Sequence, residues 1–184
     1  MKTIKESFLR KNLGLGKDEL IRKWLDEYKI TNYTINDDLT IDVDGDVELD
    51  CYKEEQLPEY IQFRKVTWAF RIYACYKLES LKGCPKEVGG NFSCCYCGKL
   101  TSLEGAPKKV DGDFDCNFCS KLTSLEGAPE KIGGYFDCRE CSDLKSLKGA
   151  PKEVGGYFDC RECSRRFTKR DVKKVSEVKG RIYI

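Results

Sequence analysis

The sequence predicts an α+β repeat solenoid, in which parallel β-sheet coils of 22 residues lie between helical caps at both ends. Four leucines recur at intervals of 22 residues: Leu78, Leu100, Leu122 and Leu144. The segment 100–107 returns letter for letter at 122–129, and 133–142 returns at 155–164. A fixed period of this length is typical of one supersecondary unit stacked on copies of itself.

Residues 1–38 are predicted to form the N-terminal helical cap. Thr3-Ile-Lys-Glu6 has the capping-box pattern and indicates a short helix that ends near Gly14. A second helix is expected from about Asp18 to Tyr28, because its apolar residues share one face at helical spacing. These residues are Leu20, Ile21, Trp24, Leu25 and Tyr28.

The solenoid itself is predicted over residues 39–163. Residues 39–49 alternate apolar and acidic side chains, which favours a strand or hairpin. The same segment aligns with the later repeats, so six strand units are expected. They begin at Val43, Val66, Val88, Val110, Ile132 and Val154.

Residues 164–184 are predicted to form the C-terminal helix and edge-strand cap. Thr168-Lys-Arg-Asp171 resembles another capping box. The helix that follows is expected to carry Val172, Val175 and Val178 on one side and to end at Gly180, with a last strand over 181–184. Both helical caps would cover the apolar coil and unpaired strand groups that a solenoid exposes at its ends.

Composition narrows the function classes. The 184-residue chain has a net charge of +2 and contains no histidine, the commonest general base and metal ligand. The charge is unevenly placed: residues 37–63 hold ten acidic residues against Lys53, whereas 164–184 hold eight basic residues against Asp171 and Glu177. No apolar run is long enough for a membrane span and no signal-peptide core is present, so a cytoplasmic location is expected.

Four Cys-x-x-Cys pairs, at 94/97, 116/119, 138/141 and 160/163, allow several interpretations. Their spacing fits zinc ligands. However, Leu49 and Ile72 occupy the first cysteine position in earlier units, which favours packed thiols because a metal site cannot exchange thiolate for methyl. Stacked disulfides are a third possibility. The second cysteine is expected to bond turn backbone, and Cys95 is expected to be exposed and oxidisable.

The repeat resembles a known family. Phe92-x-Cys94-x-x-Cys97-x-x-Leu100 is similar to the leucine-rich-repeat signature. The Leu-x-x-Leu…Pro half resembles the short repeats of bacterial leucine-rich effectors, and the whole chain resembles repeat proteins of tailed phages. The resemblance implies leucine-rich-repeat-like coils with a concave sheet. It also implies that a partner could be a bacterial defence or toxin protein that a phage or bacterial inhibitor binds.

The outward-facing strand positions form the candidate partner-binding face. Aromatic residues and arginine are over-represented there, and both types anchor protein interfaces. Three aspartates are also expected to stack in adjacent coils, an unfavourable arrangement to keep without a use. The candidate residues are Arg71, Tyr73, Tyr96, Asp115, Phe118, Tyr135, Asp137, Arg139, Tyr157, Asp159 and Arg161.

These observations predict a non-enzymatic solenoid that binds another protein through its concave β face. The sequence shows no phosphate-binding loop and no nucleophile–base pair at recognisable spacing, so no catalytic residue, cofactor, metal or small-molecule substrate is predicted, and no membrane partner is expected. The alternative is a zinc-containing nucleic-acid-binding protein that uses the Cys-x-x-Cys pairs and the basic C-terminal helix. A self-assembling structural protein is a more distant alternative.

Overall fold

The structure, a computed structural model, describes residues 14–184 and is a parallel β-solenoid of about six coils of about 22 residues. The helix predicted to begin at Thr3 lies in residues 1–13, outside the described part of the chain. Each coil contributes two short strands, one to each of two sheets. The repeat period therefore correctly predicts a parallel β-solenoid and the length of its coils.

Helices occupy two segments of the described chain, α1 at Lys17–Glu27 and α2 at Lys169–Val175. The strands are β1 Tyr33–Ile35, β2 Ile41–Val43, β3 Val47–Glu48, β4 Phe63–Val66, β5 Phe70–Arg71, β6 Glu87–Val88, β7 Phe92–Ser93, β8 Lys109–Val110, β9 Phe114–Asp115, β10 Lys131–Ile132, β11 Phe136–Asp137, β12 Glu153–Val154, β13 Phe158–Asp159, β14 Glu177–Val178 and β15 Ile182–Tyr183.

The first sheet, here called the valine sheet, has the order β1-β2-β4-β6-β8-β10-β12-β14. Only β1 is antiparallel to its neighbour; every other pair is parallel. The residues that begin the six predicted strand units lie in register in this sheet, which confirms their alignment. They are Val43, Val66, Val88, Val110, Ile132 and Val154.

The second sheet, here called the phenylalanine sheet, has the order β15-β13-β11-β9-β7-β5-β3 and is parallel throughout. Glycine occupies one or both corner positions between the two strands of most coils, and successive coils approach closely there. A Cβ atom on Gly133 would overlap the carbonyl oxygen of Asp111, and one on Gly155 would overlap the carbonyl oxygen of Gly133. At Gly133 and Gly155 the close approach therefore leaves no space for a side chain.

Stacked phenylalanines form the centre of the core. Phe70, Phe92, Phe114, Phe136 and Phe158 are fully buried, with 5.0 to 5.9 Å between the ring centroids of successive coils. Burying each ring contributes about 1.5–3 kcal/mol, and each aromatic pair adds about 0.5–1.5 kcal/mol. The valines, cysteines and repeat leucines complete the same core cluster.

Helix α1 packs on the first coils. Ile21, Trp24 and Leu25 are buried on one face, as the helical spacing predicts, and the Trp24 ring lies 6.3 Å from that of Phe63. The predicted helix from about Asp18 to Tyr28 is thus confirmed within one residue at each end. The helical caps are shown in part, as two short helices.

The C-terminal segment differs from its prediction. Thr168 is the N-cap of α2, and its hydroxyl accepts a hydrogen bond from the Asp171 N–H, as the capping-box pattern indicates. However, the helix ends at Val175 and not at Gly180, because residues 177–178 form β14 beside β12. Val175 is exposed. The predicted last strand is present as β15, so both sheets extend into residues 164–184.

Candidate functional site

The candidate face lies on the outer side of the phenylalanine sheet. Asp115, Asp137 and Asp159 are direct neighbours in the parallel register of β9, β11 and β13, as the repeat predicts. Their expected exposure is wrong: Asp137 and Asp159 are each only 2% exposed, and Asp115 is half-buried. The aspartates therefore form a buried row and do not themselves offer a surface to a partner.

Each carboxylate of this row organises the turn that follows its strand. The Oδ1 atom accepts a hydrogen bond from the backbone N–H two residues later, at 3.0 Å from Asn117, 3.0 Å from Arg139 and 3.1 Å from Arg161. This Asx-turn geometry stabilises the tight change of direction. The aspartate row thus has a structural role in the turns, whereas the sequence pattern predicted a role in partner binding.

Arginine covers two of the three carboxylates. Arg161 Nη2 lies 2.6 Å from Asp159 Oδ2, and Arg139 Nε lies 3.3 Å from Asp137 Oδ2. Both arginine side chains remain partly exposed. Asn117 occupies the same position after Asp115, where no guanidinium is available. At this part of the face the exposed charges are therefore those of the arginines, and the aspartates lie buried beneath them.

Burial changes the protonation of the row. It raises the pKa of Asp137 to about 6, and the neighbouring Asp115 and Asp159 charges act in the same direction. Hydrogen bonding and charge from Arg139 oppose the rise. Burial also raises the pKa of Asp115. The central carboxyl group therefore titrates in a range that is unusually high for aspartate.

Two aromatic groups lie on the face. The first, the Tyr96 stack, joins Tyr73 to Tyr96 with ring centroids 5.4 Å apart and Tyr96 to Phe118 at 4.4 Å. Tyr73 and Tyr96 are 42% and 36% exposed, and Phe118 is half-buried. The sequence prediction that these three residues line one surface is consistent with this placement, and the structure adds that their rings are already in contact.

The second group, the Tyr157 stack, is more enclosed. The rings of Tyr135 and Tyr157 are stacked at 4.5 Å, and Tyr183 meets Tyr157 at 5.6 Å. Arg161 places its guanidinium 5.1 Å from the Tyr183 ring centre. Burial raises the pKa of the Tyr135 hydroxyl, and the charges of Asp115 and Asp113 act in the same direction.

A left-handed backbone conformation positions the Tyr96 stack. Tyr96 and Phe118 have φ values of 58° and 56°, and the corresponding residues of the other coils share this conformation. Such values are uncommon for residues other than glycine. The conserved geometry of the turn brings Tyr96 and Phe118 into direct contact, a consequence that the strand pattern alone does not contain.

Arg71 lies at the acidic end of the face. Its guanidinium is 2.6 Å from Asp50 and 3.3 Å from Glu48. Two further aromatics, Trp68 and Tyr76, are 66% and 67% exposed, although the sequence pattern did not indicate them as candidate residues. Trp68 stands where later coils have the second corner glycine, and this departure from the repeat was the available signal.

The cysteine columns lie in the core. The second cysteine of each pair donates its S–H to a carbonyl of the preceding coil: Cys97 to Ile72, Cys119 to Cys94, Cys141 to Cys116 and Cys163 to Cys138, at 3.1 to 3.4 Å. The expected bond to backbone is present, but it runs between coils. All twelve cysteines are free thiols. Within residues 14–184, no group of three or more cysteine or acidic side chains is arranged to hold a metal ion.

The prediction for Cys95 is wrong. This thiol was expected to be exposed, but it is only 5% exposed and lies 3.0 Å from the Ser93 hydroxyl. Burial raises its pKa, which disfavours the reactive thiolate. The exposed cysteine of the described chain is instead Cys51, and Cys163 is partly exposed.

The fold and face define a repeat protein with an aromatic and arginine-bearing sheet surface. No family model matches the chain, and neither a curated protein nor a solved structure matches it. Neither described helix is long and apolar enough to cross a membrane. Function is therefore inferred from the face itself.

Proposed function

We propose that the protein is a non-enzymatic solenoid that binds another protein through the outer surface of its phenylalanine sheet. The observation that carries the proposal is the Tyr96 stack, in which Tyr73, Tyr96 and Phe118 are held in contact across three successive coils while Tyr73 and Tyr96 stay exposed. Tyrosine combines a large apolar ring with a polar tip, which suits it to an interface.

Preorganisation supports this role. Each ring is held by a neighbouring ring, and Tyr96 and Phe118 are also fixed by the left-handed conformation of their own backbone, so little side-chain freedom remains to be lost when a partner docks. Trp68 and Tyr76 add exposed aromatic area at the same end of the solenoid. Aromatic anchors of this kind dominate binding energy in protein interfaces.

The arginines extend the surface beyond the aromatic groups. Arg139 and Arg161 are held by buried carboxylates and keep part of their side chains exposed. Held guanidinium groups of this kind suit carboxylates of a partner. A leucine-rich-repeat relationship, a phage origin, and a defence or toxin protein as the partner stay predictions from the sequence resemblance.

The test uses immobilised protein and an extract of the source cells, with captured proteins identified by mass spectrometry. We expect the double variant Tyr73→Ser/Tyr96→Ser to capture at least about 10-fold less of the partner. The reason is that removing two interface anchors costs more than about 1.4 kcal/mol of binding free energy. A matched control, Lys109→Ser/Lys131→Ser, changes two exposed residues of the valine sheet.

Circular dichroism of both double variants checks that each is folded. Loss of capture by the tyrosine variant alone supports the proposed face. Equal capture by the wild type and the folded tyrosine variant would contradict it, as would loss by the lysine variant alone, which would place binding on the valine sheet.

A further inference from the structure

The thiols of the core form a series of matched pairs between successive coils. In each pair, the thiol of the second cysteine of one coil donates a hydrogen bond to the backbone carbonyl of the first cysteine of the preceding coil, at 3.1 to 3.3 Å. The three pairs are Cys94–Cys119, Cys116–Cys141 and Cys138–Cys163.

Access to solvent distinguishes the last pair from the others. Cys119 and Cys141 are fully buried, whereas Cys163 is partly exposed where the repeats end and the chain turns toward α2. Its partner Cys138 is fully buried. An oxidant in solution can therefore reach one thiol of this pair, and that thiol lies 3.3 Å from the backbone carbonyl of the second cysteine.

The surroundings of Cys163 favour its ionised form. A hydrogen bond with the Cys138 thiol, together with one from the Cys141 backbone, lowers the pKa of Cys163. Burial and the Asp159 and Asp137 charges oppose this, but the net direction is downward. In contrast, burial raises the pKa of Cys138. Partial exposure and a lowered pKa both suit Cys163 to react as the nucleophile, with the buried Cys138 as the second reactant.

We propose that Cys163 and Cys138 form a redox-active thiol pair that is modified by low-molecular-weight disulfides such as glutathione disulfide. The Cys163 thiolate attacks one sulfur of the disulfide, forming a mixed disulfide and releasing one thiolate. Cys138 then loses its proton and attacks the Cys163 sulfur, which releases the second thiolate. Two cysteine thiols are oxidised to one inter-coil disulfide, and one disulfide is reduced to two thiols.

Cys51 provides an internal comparison. It is a free and exposed thiol outside the three inter-coil pairs. Cys51 is therefore expected to form a mixed disulfide that persists. At Cys163 the mixed disulfide is expected to appear first and then to convert, because the resolving cysteine is its neighbour in the preceding coil.

The experiment treats the folded wild-type protein with glutathione disulfide, stops samples with N-ethylmaleimide and maps the cysteines by peptide mass spectrometry. We expect a Cys138–Cys163 disulfide to replace the Cys163 mixed disulfide over time. In a separate labelling experiment, N-ethylmaleimide is expected to react at least about 10-fold faster with Cys163 than with Cys141, because thiol reactivity follows exposure and thiolate character.

Two variants make the mechanism specific. Cys138→Val is expected to trap the mixed disulfide on Cys163, and its fold is expected to persist because Leu49 and Ile72 fill the same column in earlier coils. Cys116→Val makes the same change one coil earlier and is expected to leave the reaction at Cys163 unaltered. The proposal is overturned if the mixed disulfide fails to accumulate in folded Cys138→Val, if Cys163 reacts no faster than Cys141, or if glutathione disulfide links Cys163 to a different cysteine.

Discussion

Arg161 engages the buried carboxylate of Asp159 with both its backbone and its side chain. Its backbone N–H lies 3.1 Å from Oδ1, its Nε lies 3.0 Å from the same oxygen, and its Nη2 lies 2.6 Å from Oδ2. The same guanidinium faces the ring of Tyr183. One residue thus satisfies the carboxylate, completes the turn and presents charge at the surface, which links the stability of the face to its proposed binding role.

Removing this carboxylate is expected to destabilise the last repeats. Asp159→Ala leaves the Arg161 N–H and guanidinium without their acceptor, and we expect the free energy of unfolding to fall by about 1–3 kcal/mol. Urea denaturation followed by circular dichroism measures the change. The control Asp111→Ala removes an exposed aspartate and is expected to change stability by less than about 0.5 kcal/mol. Equal losses for the two variants would show that the Asp159 contacts contribute nothing specific.

The Asp137 pKa gives stability a distinctive pH dependence. The group has a pKa of about 6 in the folded protein against 3.8 as its ordinary value, so the folded state binds the proton more tightly. Stability is therefore expected to rise as the pH falls from 7 toward 5. The gain between pH 7 and pH 5 is at most about 1 kcal/mol after allowing for the partial solvent screening of this group.

Denaturation midpoints at pH 7 and pH 5 measure this effect, with Asp137→Asn as the comparison. The asparagine side chain does not titrate, so the increase in stability between pH 7 and pH 5 should shrink to the part that Asp115 contributes. Ion-paired carboxylates such as Asp42 have lowered pKa values, and their stabilisation is lost only at more acidic pH. An unchanged pH response in Asp137→Asn would show that the central carboxylate does not control it.

The sequence predicts the solenoid because its repeat is nearly perfect. Identical segments at a fixed spacing place valine above valine and phenylalanine above phenylalanine, and no long-range information is needed to align them. The same argument places Tyr96 beside Phe118 on one surface. The repeat also predicts the core position of the first cysteine column, since Leu49 and Ile72 share it.

The exposure of individual side chains is harder to predict. Strand alternation places Asp137 on the outer side of the sheet. Because the strand has only two residues, the turn that follows it determines which side chains cover Asp137. Arg139 folds back over the carboxylate, and Tyr135 lies close to it. Cys95 is buried for a related reason, as its thiol contacts Ser93. These outcomes depend on turn dihedral angles that the strand pattern does not encode.

Replacing a cysteine of the first column and one of the second column is expected to destabilise the protein to different extents, although the two side chains have the same size and burial. Cys116 and Cys119 are both fully buried, but Cys119 also donates its S–H to the Cys94 carbonyl at 3.1 Å. Both alanine variants lose the same sulfur atom, so Cys119→Ala should cost about 0.5–1.5 kcal/mol more than Cys116→Ala. Urea denaturation under reducing conditions measures both variants without disulfide formation. Equal costs, or a larger cost for Cys116→Ala, would show that the inter-coil thiol bond does not stabilise the fold and that the second column is held by packing alone.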